Sequence, residues 1–519
     1  MKRIIIILIS LLPLFSMGQK KSLADFKPEY INWFNKDYAN DNVLGASVDK
    51  AYEALKNLKP KKTVIVAVID GGVDITHEDF AGKIWTNTKE IPNNNIDDDK
   101  NGYVDDIHGW NFIGNRNGEN LIYESYEYTR ILKNPNDPNY NKAKKLYEKN
   151  LKQKREEAQM LKQFEDVYYQ AKFIIFQKTG ITIENKKDLE KVNSKNEDVI
   201  AAKAFLMERY EMGMTEEDLK NFKTHSEENM NYLLNKDFNP RPQIIGDNPD
   251  DLNDRNYGNN DVKGERADHG TSVAGIIAAV RDNNIGINGI ADNVKIMSLR
   301  VVPNGDENDK DIALAIMYAV DNGADIINMS FGKPLSPHKD FVDQAVRYAE
   351  KKGVLLIHAA GNEGTNIDKE ESYPSDRYLD GNEITNWINV GASAKDKNEK
   401  TAAIFSNYGK KHVDLFAPGV DIISLDTANS YNIASGTSDA CPVVSGISAL
   451  ILSYYPQIKP AEMIDILMQS VTLLPDLQVL IPNTEERENR EKVPFESLSK
   501  SGGIINAYNA IMLAQKKCK

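Results

Sequence analysis

TVIVAVID, residues 63–70, is a run of β-branched and small apolar side chains that ends on an acid. Apolar and polar positions do not alternate in it, so both faces of the strand must be covered. That is the mark of a buried parallel strand rather than a half-exposed antiparallel one. The pattern returns in VKIMSLRVV (294–302), ADIINMSFG (324–332), GVLLIHAAGN (353–362) and WINVGASA (387–394). Between these runs, KDIALAIMYAVDNG (310–323) and FVDQAVRYAEKKG (341–353) have helical periodicity, and each ends in Gly, a usual helix stop. Strands and helices alternating at this length imply an α/β fold with a doubly wound, mainly parallel sheet flanked by helices. In such sheets catalytic groups gather at the carboxyl ends of the strands. Asp70, Ser330 and Asn362 all stand at or next to those ends.

Residues from about 115 to 260 break this rhythm. Leu161, Phe164, Tyr168, Ala171 and Ile175 are spaced 3-4-3-4 in an otherwise charged stretch, the apolar stripe of an amphipathic helix. A second helix is predicted over about 198–212. A third starts at Thr215, where T-E-E-D is an acidic variant of a capping box. The segment reads as an inserted helical hairpin or small bundle, either a surface decoration or a lid or partner dock. The N-terminus carries Lys2 and Arg3, an apolar run over 4–15, and small residues at Ser16 and Gly18. It reads as a signal peptide over 1–18, with a retained anchor as the alternative. Residues 19–60 are too short for a folding pro-domain. They read as an arm anchored through Trp33 and Tyr52, ahead of a catalytic domain over 61–513 and a tail over 514–519.

The 519 residues carry a formal charge of -13, which makes nucleic acid an unsuitable partner. Cys441 and Cys518 are the two cysteines, too few for a disulfide-built exported protein. Cys441 reads as a small buried packing residue, and a bridge to Cys518 stays open.

Chemistry concentrates around ASGTSDACP, residues 434–442. A serine hydroxyl needs a neighbouring base to take its proton, and His is the usual one near neutral pH. Of seven His, His269 alone is flanked by an acid and Gly and followed by a small-residue apolar helix, ADHGTSVAGIIAAV. Asp70, ending a buried strand, needs a partner that an imidazole N–H would supply. Asn362, in AAGNEG, ends another buried strand, and its amide suits a developing negative charge. VAVIDGGVD, DHGTSVAGIIAA, HAAGNEG and GTSDACPVVSG, in this order, resemble the subtilisin-like serine peptidases. The resemblance covers roughly residues 60–115 and 260–513. It implies a triad of Asp70, His269 and Ser438, with Asn362 as oxyanion donor. It also implies a substrate strand at Ser330, Phe331 and Gly332, a primary pocket lined by Ala359, Ala360 and Gly361, and extended polypeptides as substrates. No organic cofactor is implied.

Two departures stand out. Asp439 occupies a position that is usually Met in the family. Its charge is expected to stabilise the imidazolium of His269. Gly71 replaces a small polar residue, which removes one side-chain hydrogen bond to the Asp. Separately, NNNIDDDKNGYVDDIHGWNF (93–112) places Asp97, Asp99 and Asn101 at one-three-five spacing, with Gly102 at six, the Tyr103 carbonyl at seven and Asp105 at nine. Asp106 is available to close the shell, because position twelve is His108 rather than Glu. This resembles most of an EF-hand loop and implies structural calcium; an Asn/Asp-rich exposed turn is the alternative. The expected function is an exported serine endopeptidase, periplasmic or extracellular, with no stable membrane span after signal removal. A non-catalytic relative whose insertion binds a partner and a narrow processing peptidase gated by the insertion are the rivals.

Overall fold

The computed structural model describes residues 21–484 and 489–518; the expected signal peptide lies outside them. In chain order the strands are β1 Val64–Asp70, β2 Gly109–Asn111, β3 Val294–Arg300, β4 Ile326–Met329, β5 Leu355–Ala359, β6 Trp387–Ser393 and β7 Leu415–Pro418. They continue as β8 Ile422–Asp426, β9 Ser430–Ala434, β10 Thr472–Leu473, β11 Gln478–Leu480, β12 Lys492–Pro494 and β13 Gly503–Ile504. Nine form one sheet in the order β10-β13-β7-β6-β5-β4-β1-β3-β2. Every pairing in it is parallel except β10 with β13. The mainly parallel α/β sheet is therefore as expected.

The unbroken apolar run of β1 follows from its place. Val64, Val66 and Val68 enter one core with the helices Asp268–Ala278 and Thr437–Tyr454. Ala67 and Ile69 enter the core on the other face with the helices Asp309–Asp321 and Lys339–Lys352. Asp70 pairs in register with Arg300, and Ile69 with Met329, so the carboxyl ends of β1, β3 and β4 come level.

The chain divides into two compact units, one over residues 21–127 and 239–519, the other over 128–238. In the second, the helix Tyr140–Thr179 buries Leu161, Phe164, Tyr168, Ala171 and Ile175 against Val199, Ala202, Leu206 and Leu219. The helix Glu216–Glu228 starts at Thr215, which exchanges bonds with Asp218 in the predicted capping box. The helical segment is thus shorter than the 115–260 read from composition. Residues 239–260 belong to the sheet unit, held by a charge network that periodicity cannot reveal. Arg241 is 4% exposed and makes paired bonds to Asp311 (2.7 and 2.9 Å) and to Asp247 (2.8 and 2.8 Å). Tyr257 donates to Asp311 at 2.6 Å, and the buried Lys310 donates to Asp247 at 2.8 Å.

Within residues 21–60, Trp33 is 1% exposed and donates its indole N–H to the Asp421 carbonyl. Tyr52 donates to the Ile290 carbonyl beneath the Arg281 guanidinium. At the other end, residues 514–517 continue the helix Ala507–Lys517 rather than forming a tail. Cys441 and Cys518 are both free. No helix among the described residues is long and apolar enough to cross a membrane.

Removing one acid from the Arg241 network leaves two buried cations facing the remaining Asp247. Asp311→Ala is expected to lower stability by about 3–5 kcal/mol, read as a drop in the urea midpoint. A loss below ~1 kcal/mol would mean that the network anchors nothing.

Candidate active site

Asp70 is 2% exposed and closes β1. The backbone N–H of Gly71 donates to its Oδ1 at 2.7 Å, so the main chain supplies one bond where the side chain of residue 71 has none to give. His269 Nδ1 lies 2.9 Å from each carboxylate oxygen, across 199 positions of sequence. His269 sits in the first turn of the helix Asp268–Ala278. The approach depends on Gly270. A Cβ there would stand 2.1 Å from the Gly72 carbonyl oxygen and 3.1 Å from the Asp70 Cβ.

Nδ1 faces the acid, so Nε2 is left on the outer edge of a ring that is 47% exposed. Burial works against protonation of His269, but the charge and hydrogen bond of Asp70 outweigh it. Asp439 and Asp268 add to that, and the imidazole is raised to about 9. Asp70 acts at contact distance, whereas the more exposed Asp268 acts partly through solvent.

Ser438 is the second residue of the helix Thr437–Tyr454, which packs against the histidine helix. No hydrogen bond joins Ser438 Oγ to His269; such bonds commonly tighten only when substrate is bound. The Ser438 carbonyl is unusual for a helix. Its donor would be the N–H four residues on, but that residue is Pro442, which has none. The carbonyl instead accepts Ser330 Oγ–H at 2.9 Å, and Ser330 is oriented by Asn328 Nδ2 at 3.0 Å. Asn328 Oδ1 in turn accepts from Ser445 Oγ at 2.7 Å and from Cys441 Sγ at 3.3 Å. The proline of the serine motif thereby ties the turn of Ser438 to the segment that carries Ser330. The cysteine is a buried packing residue with a weak donor.

Asn362 is exposed, and its side-chain oxygen accepts from both the N–H and the Oγ–H of Thr437, at 2.8 and 2.9 Å. The amide is therefore oriented, and its NH2 makes no hydrogen bond among the described residues. Gly361 precedes it at φ +104, where a Cβ would stand 2.3 Å from Asn407 Nδ2. Ala359 and Ala360 are 4% and 1% exposed, Phe331 is half-buried and Gly332 is exposed. A segment the sequence reading left out closes this region. Lys333 and Tyr373 exchange backbone bonds at 2.9 Å, and a Cβ on Gly332 would lie 3.3 Å from the Tyr373 carbonyl oxygen.

The predicted metal set divides. Asp97 and Asp99 come together with Glu90, their ligand oxygens within 4.8 Å of one another. Three carboxylates suit a hard cation. Glu90 was missed because it precedes the loop and falls outside the EF-hand spacing. Asp105 stands apart: its carboxylate accepts from the N–H groups of Asn94 and Asn95 and closes that turn. Asp106 is fully buried, held by Asn87, Asn101 and Tyr318, and burial pushes its carboxyl up to about 6. Asn101 is spent on Asp106 and on the Tyr103 N–H, and the Tyr103 ring packs on Trp110 and Tyr318. Of the expected acids, Asp97 and Asp99 thus lie together, whereas Asp105 and Asp106 are engaged elsewhere.

The subtilase family, Peptidase_S8, matches residues 61–494. The chain belongs to the subtilase family. It is 44% identical over 186 residues to the Thermophilic serine proteinase of Bacillus sp. (strain AK1), covering 36% of this chain and 42% of that protein. It is 36% identical over 210 residues to Subtilisin DY of Bacillus licheniformis, covering 40% of this chain and 72% of that one. Among solved structures, a cold adapted subtilisin-like serine proteinase shares 26% identity over 46% of this chain and 74% of that chain, at a TM-score of 0.35. The alignment to the first relative spans well under half of its length, so the subtilase assignment rests on the family match and the sheet.

Asp439 directly follows Ser438 in this subtilase. It is 4% exposed and forms no side-chain hydrogen bond among the described residues. Burial pushes its carboxyl up to about 7; His269 opposes the shift and Asp70 adds to it. Its charged form favours imidazolium, so Asp439→Asn is expected to lower the His269 titration midpoint. The imidazole NMR signals followed against pH would read this shift. Coincident titrations in parent and variant would refute it.

Proposed function

We propose that the chain is an exported serine endopeptidase that hydrolyses extended polypeptides. The observation that carries the reading is the contact of His269 Nδ1 with both oxygens of Asp70, beside the helix whose first turn carries Ser438. In this reading His269 Nε2, in its neutral form, takes the Ser438 Oγ proton as the oxygen attacks the peptide carbonyl. Asp70 keeps the imidazole in the tautomer with Nδ1–H and stabilises the cation that forms. The Asn362 NH2, already turned away from Thr437, and the Ser438 backbone N–H receive the oxyanion. His269 then returns its proton to the leaving amine, and water repeats the sequence on the acyl-enzyme. The outward edge of residues 330–332 takes the substrate backbone as an added strand, and Ala359, Ala360 and Gly361 wall the first side-chain pocket. Export is supported by the basic start and apolar run of residues 1–18.

The deciding comparison uses the chain from Gln19, with and without Ser438→Ala, on an unfolded protein substrate. Fragment release by the parent alone is expected; equal release by both would overturn the serine mechanism. Asn362→Ala should lower kcat by about a hundred- to a thousandfold with KM little changed, the cost that losing one such donor has in subtilisin. A loss seen only in KM would give Asn362 a binding role instead.

We further propose that Glu90, Asp97 and Asp99 hold a structural calcium ion, which would bring positive charge to carboxylates that otherwise repel. Calcium should then raise the thermal midpoint of the parent and leave that of Asp97→Asn/Asp99→Asn unmoved. A rise of equal size in both would place the ion elsewhere.

A further inference from the structure

His358 is 2% exposed at the end of β5, just before the proposed pocket wall, and the mechanism above makes no use of it. The β4–β5 ladder ends at the pair Met329–His358. Past that point, the Phe331 carbonyl lies 2.8 Å from His358 Nε2. The other ring nitrogen, Nδ1, is 3.0 Å from Asn389 Oδ1, and the ring leans on Trp387 at 5.3 Å.

Both ring nitrogens face acceptors, and the two acceptors differ in what else they are given. Trp387 Nε1 can only donate, and it lies 2.9 Å from Asn389 Oδ1. Asn389 Nδ2 faces the His412 carbonyl at 2.9 Å. The Asn389 amide is thus fixed with its oxygen toward His358, and that oxygen already has a donor. A neutral imidazole has one N–H to give; on Nε2 it meets the Phe331 carbonyl, which has no other donor among the described residues, at the cost of setting the Nδ1 lone pair against the Asn389 oxygen.

An extended chain turns successive carbonyls to opposite sides. With the Phe331 carbonyl held by the ring, an extended course through 330–332 turns the Ser330 and Gly332 carbonyls to the opposite side, where an added strand would pair. The ladder no longer holds these residues, so the ring takes over where main-chain pairing stops. We propose that His358 is a positioning residue for substrate: through Nε2–H it holds Phe331 so that residues 330–332 present a pre-formed edge to the peptide backbone on the acyl side of the cleaved bond. This rests on the peptidase reading above.

Two polar replacements separate this from simple core packing. The amide nitrogen of Gln lies as many bonds from Cβ as His Nε2 does, and that of Asn as many as Nδ1. His358→Gln can therefore still donate to Phe331, whereas His358→Asn reaches only toward Asn389. On a tetrapeptide anilide, His358→Asn is expected to lose about three- to tenfold in kcat/KM, mostly in KM, the worth of one neutral hydrogen bond. His358→Gln should stay within about twofold of the parent. On an acetylated single-residue ester, which has no backbone to lay along the edge, both should match the parent. Equal losses in the two variants, or an ester loss that keeps step with the peptide loss, would overturn the role. If the parent hydrolyses neither substrate, the peptidase reading falls. Amide hydrogen exchange over residues 330–332 then decides the inference by itself: faster exchange in the Asn variant alone supports it, and exchange equal to that of the parent refutes it.

Discussion

Apolar side chains leave β1 on both faces, and helices from both layers cover them. A strand so enclosed has no water for its polar groups, so each one must be met inside the sheet. Asp70 is the one charged side chain that β1 carries, and it stands where the strand runs out of cover. Burial makes the acid costly without a donor, and the donors are Gly71 N–H and His269 Nδ1–H. The histidine helix must then come down close on the strand end, which Gly270 permits. The serine helix packs beside it on the same face. The geometry of the site is in this sense a result of how β1 is buried.

A second tie runs through the backbone. Pro442 empties the donor place at the Ser438 carbonyl, and Ser330 fills it. The strand proposed to hold the substrate and the residue proposed to attack it are therefore fixed to each other, not separately to the scaffold. Asn362 joins the same assembly through Thr437, the first residue of the serine helix. A shift in any one of these pieces would carry the others with it.

Much of this was legible in the sequence because its causes are local. Two-sided burial appears as the uninterrupted run of 63–70, a helix's buried face as the 3-4-3-4 spacing of Leu161 to Ile175, and a helix start as Thr215 three residues before Asp218. What escaped has causes that are distant in sequence. Glu90 reaches Asp97 and Asp99 only after the loop folds back, and Asp105 and Asp106 are diverted by Asn94, Asn95 and Tyr318. The short β2 lies within a stretch read as a cation loop. Arg241 looks like one more surface charge until Asp311 is brought to it. The use of His358 is set by the acceptors at Phe331 and Asn389, which no spacing rule anticipates.

The arrangement also bears on how the chain reaches this state. Val64 pairs with Val294, and Thr63 bonds to Asn293 across 230 positions. The central ladder of the sheet is therefore among its least local contacts, the kind that slows a search through conformations. Closing so wide a gap costs chain entropy that grows only with the logarithm of its length, and a stretch that collapses on its own shortens the gap to be closed. Residues 128–238, with a core of their own, are such a stretch. An insertion that looks like a burden in sequence weighs on the assembly of β1 and β3 far less than its number of residues would suggest.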